Sequence, residues 1–127
     1  KGDFASHAYQ DLQECARIYD MLRFKNHVPK IELVKGDFTK TGKQYLLDNP
    51  HTTIALLFLD FDIYHPTKEA LDIFMERIPK GGIIAFDHLN YKGTAGETVA
   101  FKESVGLDQY KIQRFYWDPL FSYIVKE

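Results

Sequence analysis

The chain has 127 residues, 45% of them hydrophobic and 15% aromatic, with 16 basic and 18 acidic side chains giving a net charge of −2. That length and apolar content suit one compact domain and exclude disorder over most of the chain, while the interspersed charge offers no basic stripe for nucleic acid. The single cysteine, Cys15, excludes an internal disulfide framework and suits a reducing cytosol, hence a cytoplasmic protein.

The chain opens on Lys1-Gly2-Asp3-Phe4, which does not form a signal peptide and lacks an initiator methionine, so it is expected to start part-way through a longer protein. Over residues 8–25, Leu12, Cys15, Tyr19 and Leu22 recur at three- and four-residue steps, one face of an amphipathic helix on which Cys15 is read as packing. Pro29 ends it. Residues 30–37 read as a short strand, Ile31-Glu32-Leu33-Val34, closed by Gly36, and a short helix is expected over 43–47. The tetrapeptide Lys-Gly-Asp-Phe recurs at 35–38, too short a match to make a repeat.

Residues 52–59 form a continuous apolar run, the pattern of a strand buried on both faces of a parallel sheet. Thr67 can cap the next helix, whose apolar stripe is Leu71, Phe74, Met75 and Ile78. After the turn Pro79-Lys80-Gly81-Gly82, residues 83–86 form a second buried strand, and a further helix spans about 97–105. Two last strands, 111–117 and 121–126, flank a turn at Asp118-Pro119 as an antiparallel hairpin. Strands alternating with helices give an α/β fold. No apolar run approaches the roughly 20 residues that span a bilayer, so no membrane partner is expected.

In such a sheet, ligands bind beyond the carboxyl ends of the strands. Asp60 and Asp87 each follow a buried strand directly; on neighbouring strands their tips lie roughly 5 Å apart. Carboxylates that close repel unless a proton or a cation lies between them. Oxygen ligands of this kind suit Mg²⁺ or another hard divalent ion. Asp62 and His88 add polar groups to the same rim, whereas His65 is read as surface or capping, and His7, His27 and His51 carry no assignment.

The segment Leu57-Phe58-Leu59-Asp60-Phe61-Asp62-Ile63-Tyr64-His65-Pro66-Thr67-Lys68 resembles the Asp-x-Asp-x-Tyr-x-x-Thr motif of the macrocin-type O-methyltransferases, and Gly81-Gly82-Ile83-Ile84-Ala85-Phe86-Asp87 resembles their next strand and its acidic tip. The resemblance runs from about Val34 to the C-terminus. It implies a Rossmann-like class I methyltransferase sheet, incomplete at its N-terminus because no glycine-rich loop precedes these strands, and ending in the antiparallel hairpin. It also implies S-adenosylmethionine and a divalent metal as cofactors, with a small-molecule acceptor such as a sugar hydroxyl. Asp60 would be a metal ligand and general base, and Asp87 a second ligand. His88 stands where the family usually has another acid, as a ligand or proton acceptor. Imidazole in that place shifts the preference towards softer ions. Gly36-Asp37-Phe38 resembles the segment that approaches the cofactor's adenine, which makes Asp37 and Phe38 cofactor-binding candidates. Gly96-Glu97-Thr98, at a helix start, would touch the acceptor or simply favour the helix dipole.

Two other readings start from the same residues. A hydrophobic strand followed by Asp-x-Asp also resembles haloacid-dehalogenase-type phosphatases, with Asp60 as nucleophile, although Tyr64 departs from their pattern and, of the later lysine and paired acid they need, Asp87-His88 supplies only half of the pair. The other is a truncated, non-catalytic interaction domain. A homo-oligomer is left open.

Overall fold

The computed structural model describes residues 8–127, so the copy of Lys-Gly-Asp-Phe at 1–4 and His7 lie outside the described residues. Two compact units divide the described residues, 8–35 and 36–127. In the first, helix α1 spans Tyr9–Met21 and buries none of its residues. Cys15, expected to pack, is exposed. Residues 29–35 take no regular structure, so the expected Ile31-Val34 strand is not formed. A strand exists through its ladder partners, and the four-stranded sheet of the described residues does not include this segment.

The second unit alternates helix and strand: α2 (Phe38–Asp48), β1 (Leu56–Leu59), α3 (Tyr64–Phe74), β2 (Ile83–Phe86), α4 (Ala95–Ser104), β3 (Gln113–Phe115) and β4 (Asp118–Val125). The sheet order is β1-β2-β4-β3. β1 and β2 run parallel with Leu59 opposite Phe86, while β4 is antiparallel to both of its neighbours. The two acid-bearing strands are therefore adjacent, as their sequence pattern suggests, and the Asp87 amide donates to the Leu59 carbonyl at 3.1 Å.

One sheet face carries the core. Leu57 and Leu59 of β1, Ile84 and Phe86 of β2 and Ile124 of β4 meet Ala70 and Leu71 of α3 and Ala100 and Phe101 of α4. Phe86 and Phe101 pack edge to face at 5.2 Å. On the other face Leu56 and Phe58 are 60% and 46% exposed. β1 is thus covered on one side only, contrary to the expectation from its continuous apolar run. A run of this kind does not distinguish a doubly buried strand from one with a bare apolar face.

Local chemistry moves several element ends. α2 begins earlier than its apolar spacing suggests because Asp37 caps it, its carboxylate accepting from the Thr39 amide at 3.1 Å. Thr67 lies inside α3 instead of capping it; its buried hydroxyl donates to the Ile63 carbonyl one turn back at 2.8 Å. The hairpin turns at Tyr116-Trp117, with Phe115 opposite Asp118. Asp118 and Pro119 already belong to β4, where the Asp118 carboxylate accepts from the Leu120 and Phe121 amides across a break in register. Proline fits there because the break in register leaves its position without a ladder bond to donate.

Candidate metal centre

Beyond Leu59 the chain leaves the sheet as Asp60, Phe61 and Asp62, and beyond Phe86 as Asp87 and His88. Asp60, Asp62 and His88 each offer a ligand atom, and the three atoms lie within 4.8 Å of one another. Asp60 is exposed, while Asp62 and His88 are half-buried. The His88 Nδ1 stands 2.8 Å from an Asp87 oxygen and 3.3 Å from an Asp62 oxygen. Asp87, expected as a ligand, therefore reaches the cluster through His88. Asp62 takes the place in the cluster that the sequence reading gives to Asp87.

The Asp62 backbone has φ 61°, the left-handed region that costs a residue with a Cβ on the order of 1–2 kcal/mol. Glu97 holds it there. Its side chain is fully buried at the start of α4. One of its oxygens accepts from the Phe61 and Asp62 amides at 3.2 and 3.3 Å; the other accepts from the His88 amide at 3.1 Å. Glu97 thus ties both strand-end loops to one helix, a role quite unlike contact with an acceptor. Burial pushes its carboxyl above the usual range, the three amides pull it back, and the nearby Asp62 charge adds to the rise. Gly96 makes the approach of α4 feasible, because a Cβ there would lie 2.4 Å from the Tyr64 nitrogen and 2.7 Å from the Ile63 carbonyl carbon. Next along, Thr98 accepts from the Asn90 amide at 2.7 Å, pinning the rest of the loop after His88.

The donor set fits a divalent cation. The Asp62 Oδ1 and His88 Nδ1 atoms are buried and make no hydrogen bond, although they face each other and a further carboxylate. Buried polar atoms without partners are rare, and a cation between them would satisfy both atoms and offset the carboxylate repulsion.

Asp37 lines a cleft of about 560 Å³ with Thr39, Ile63, His65, Pro66 and Glu69. The hydroxyl and amide of Thr39 hold its carboxyl below the usual range. Phe38 is partly buried against the core, its ring 4.9 Å from Phe61 and 5.8 Å from Phe74. Phe38 therefore braces the segment that bears Asp60 and Asp62. His65 stays on the surface, as expected, and forms part of the cleft wall.

The profile of the macrocin-O-methyltransferase (TylF) family matches residues 8–118. The chain belongs to that family. Two solved structures of CalS11 agree: a calicheamicin methyltransferase structure aligns over 98% of this chain at 34% identity and TM-score 0.93. The apo form, described as a TDP-rhamnose 3′-O-methyltransferase, aligns over 91% at the same identity and TM-score 0.88. The O-methyltransferase NovP, at 18% identity, 93% coverage and TM-score 0.67, shares the fold. The chain spans half the length of the two CalS11 chains and 44% of NovP. Comparison with curated proteins gave no match. These likenesses bear out the class I methyltransferase fold. Among the described residues no helix is long and apolar enough to cross a membrane.

Proposed function

We propose that the protein transfers a methyl group from S-adenosylmethionine to a hydroxyl of a sugar or similar small molecule, with a divalent metal, Mg²⁺ or a softer ion, at Asp60, Asp62 and His88. The observation that carries this reading is the convergence of those three side chains, two of them with buried atoms lacking a hydrogen bond, at the tips of adjacent parallel strands. Family membership supports the chemistry, and CalS11, described as acting on a TDP-sugar, supports the acceptor class. It also favours this reading over a phosphatase built on Asp60. The single cysteine supports a cytoplasmic setting.

The metal, when bound, would supply positive charge that acidifies the acceptor hydroxyl and fixes its direction of attack. The cofactor would supply an electrophilic methyl on a sulfonium, whose sulfur departs as a neutral thioether and needs no acid. The chain's own residues do the rest. Asp60, the exposed carboxylate of the cluster, takes the hydroxyl proton as the oxygen–carbon bond forms. Asp62 and His88 hold their positions through Glu97, and the Asp87 carboxylate stands beside the His88 ring. Asp37, on the cleft wall, and Phe38, behind it, serve the cofactor's adenine side.

The test is labelled S-adenosylmethionine with sugar acceptors and the protein. Methyl transfer should be abolished by a chelator, restored by a divalent ion, and lowered about 10²–10⁴-fold in Asp60→Asn, the usual range for loss of a general base. Metal-dependent phosphate release from a generic ester, without methyl transfer, would replace this reading with the phosphatase.

A further inference from the structure

A second cleft, of about 420 Å³, lies between α4 and β3, with Leu89, Phe101, Lys102, Leu107, Ile112 and Arg114 among its walls. That volume falls within the range of small-molecule sites. No carboxylate lines it, and two cations do. This is the reverse of the 560 Å³ cleft, whose walls carry Asp37 and Glu69.

Arg114 is held in place. Its Nε donates to the Ser122 hydroxyl at 3.0 Å and its Nη2 to the Leu89 carbonyl at 3.2 Å. Ser122 is fully buried, so one anchor is part of the core. These bonds leave Nη1 without a partner among the described residues. A guanidinium fixed on one edge with its other edge free suits paired oxygens such as those of a phosphate. Lys102, exposed in the last turn of α4, supplies a second positive charge. Leu107 and Ile112, 58% and 37% exposed, add an apolar rim that a bare anion would not use.

We propose that this cleft binds a phosphorylated small molecule through Arg114 and Lys102, with the molecule's less polar body against Leu107 and Ile112. Resting on the reading above, it is the seat of the phosphate-bearing end of a nucleotide-sugar acceptor. Leu89, which anchors Arg114, directly follows His88, so occupancy of this cleft and the position of the imidazole act on one stretch of backbone.

Calorimetric titration with thymidine 5′-diphosphate and with pyrophosphate, in chelator and without divalent ions, tests this. The diphosphate should bind saturably and more tightly than pyrophosphate. Lys102→Glu, at an exposed side chain, should weaken it about tenfold or more, and Arg114→Gln should do the same, with circular dichroism checking that both remain folded. Absence of saturable binding to the unaltered protein, or unchanged affinity in Lys102→Glu, would overturn the assignment. Equal affinity for pyrophosphate would overturn the role of the apolar rim. Asp60→Asn should bind the diphosphate normally, which separates the two readings: binding without methyl transfer counts against the proposed function alone, and transfer to a nucleotide sugar without binding here counts against the cleft alone.

Discussion

Glu97 concentrates in one carboxylate what the site needs from its surroundings. Three amides from two loops converge on it, and none of its surface reaches solvent. Glu97→Ala would orphan those donors inside the protein. At about 1 kcal/mol or more for each lost charge-assisted bond, thermal or urea unfolding should show a loss of about 3 kcal/mol or more. Glu97→Gln keeps the shape but replaces one acceptor oxygen with a donor, so it should rescue only part of that loss. Its pH profile is more informative. The folded protein raises the Glu97 carboxyl above its ordinary 4.5, so between that value and the raised one the folded state holds more protons than the unfolded. The Glu97 contribution is fully present below 4.5 and is lost as pH rises through the raised value. Stability measured against pH should carry this falling component in the unaltered protein and lack it in Glu97→Gln. Gly96 is the companion constraint: Gly96→Ala would drive a methyl into the Ile63 and Tyr64 backbone, with an expected loss of about 3 kcal/mol and weaker metal binding, read by titration, because Asp62 lies just before that backbone.

At the level of elements, the sequence shows the parts whose signals are local. The apolar runs ending at Leu59 and Phe86, the Gly-Gly turn before β2 and the stripe of α3 are legible from spacing and turn chemistry, and the adjacency of β1 and β2 follows from crossover rules. Less legible are the parts that depend on a partner. Residues 31–34 have strand composition but no ladder among the described residues, and Leu56 and Phe58 look like interior residues although their face is bare. Glu97 reads as an ordinary acid in the first turn of a helix, and only the packing of α4 shows it bonded to both loops. The spacing of Asp62 from Asp60 shows it near the rim, but its left-handed backbone, which brings it into the cluster, has no sequence signature. The hairpin misleads because Asp-Pro usually marks a turn; here Asp118 instead stabilises a bulge just past the turn. Asp118→Ala should therefore cost about 1 kcal/mol and speed amide exchange at Leu120 and Phe121, leaving the acid cluster intact.

Across the whole molecule, charge and apolar surface are distributed unevenly. The cluster at the strand ends is acidic, the second cleft is cationic, and one sheet face exposes a continuous aromatic set. Phe58 stacks on Phe121 at 5.4 Å, and Phe115 touches Phe121, Trp117 and Tyr123. Exposed apolar area of this kind, next to a strand edge that pairs with nothing among the described residues, favours association. The 127-residue chain on its own should sediment as larger species as concentration rises. Phe58→Lys should shift it towards monomer without altering the core, since Phe58 points away from Leu57 and Leu59.

The hairpin tip also gives the protein its own optical label. Trp117 is the single tryptophan of the chain, 66% exposed, stacked on Phe115 at 4.9 Å and set edge-on to Tyr116 at 4.7 Å. Its emission should be red-shifted and open to iodide quenching while the chain is folded, so it reports the closing of β3 on β4 rather than collapse of the core. Comparing fluorescence with far-ultraviolet dichroism during unfolding would show whether this hairpin, which carries Arg114, opens before the sheet that carries the acids.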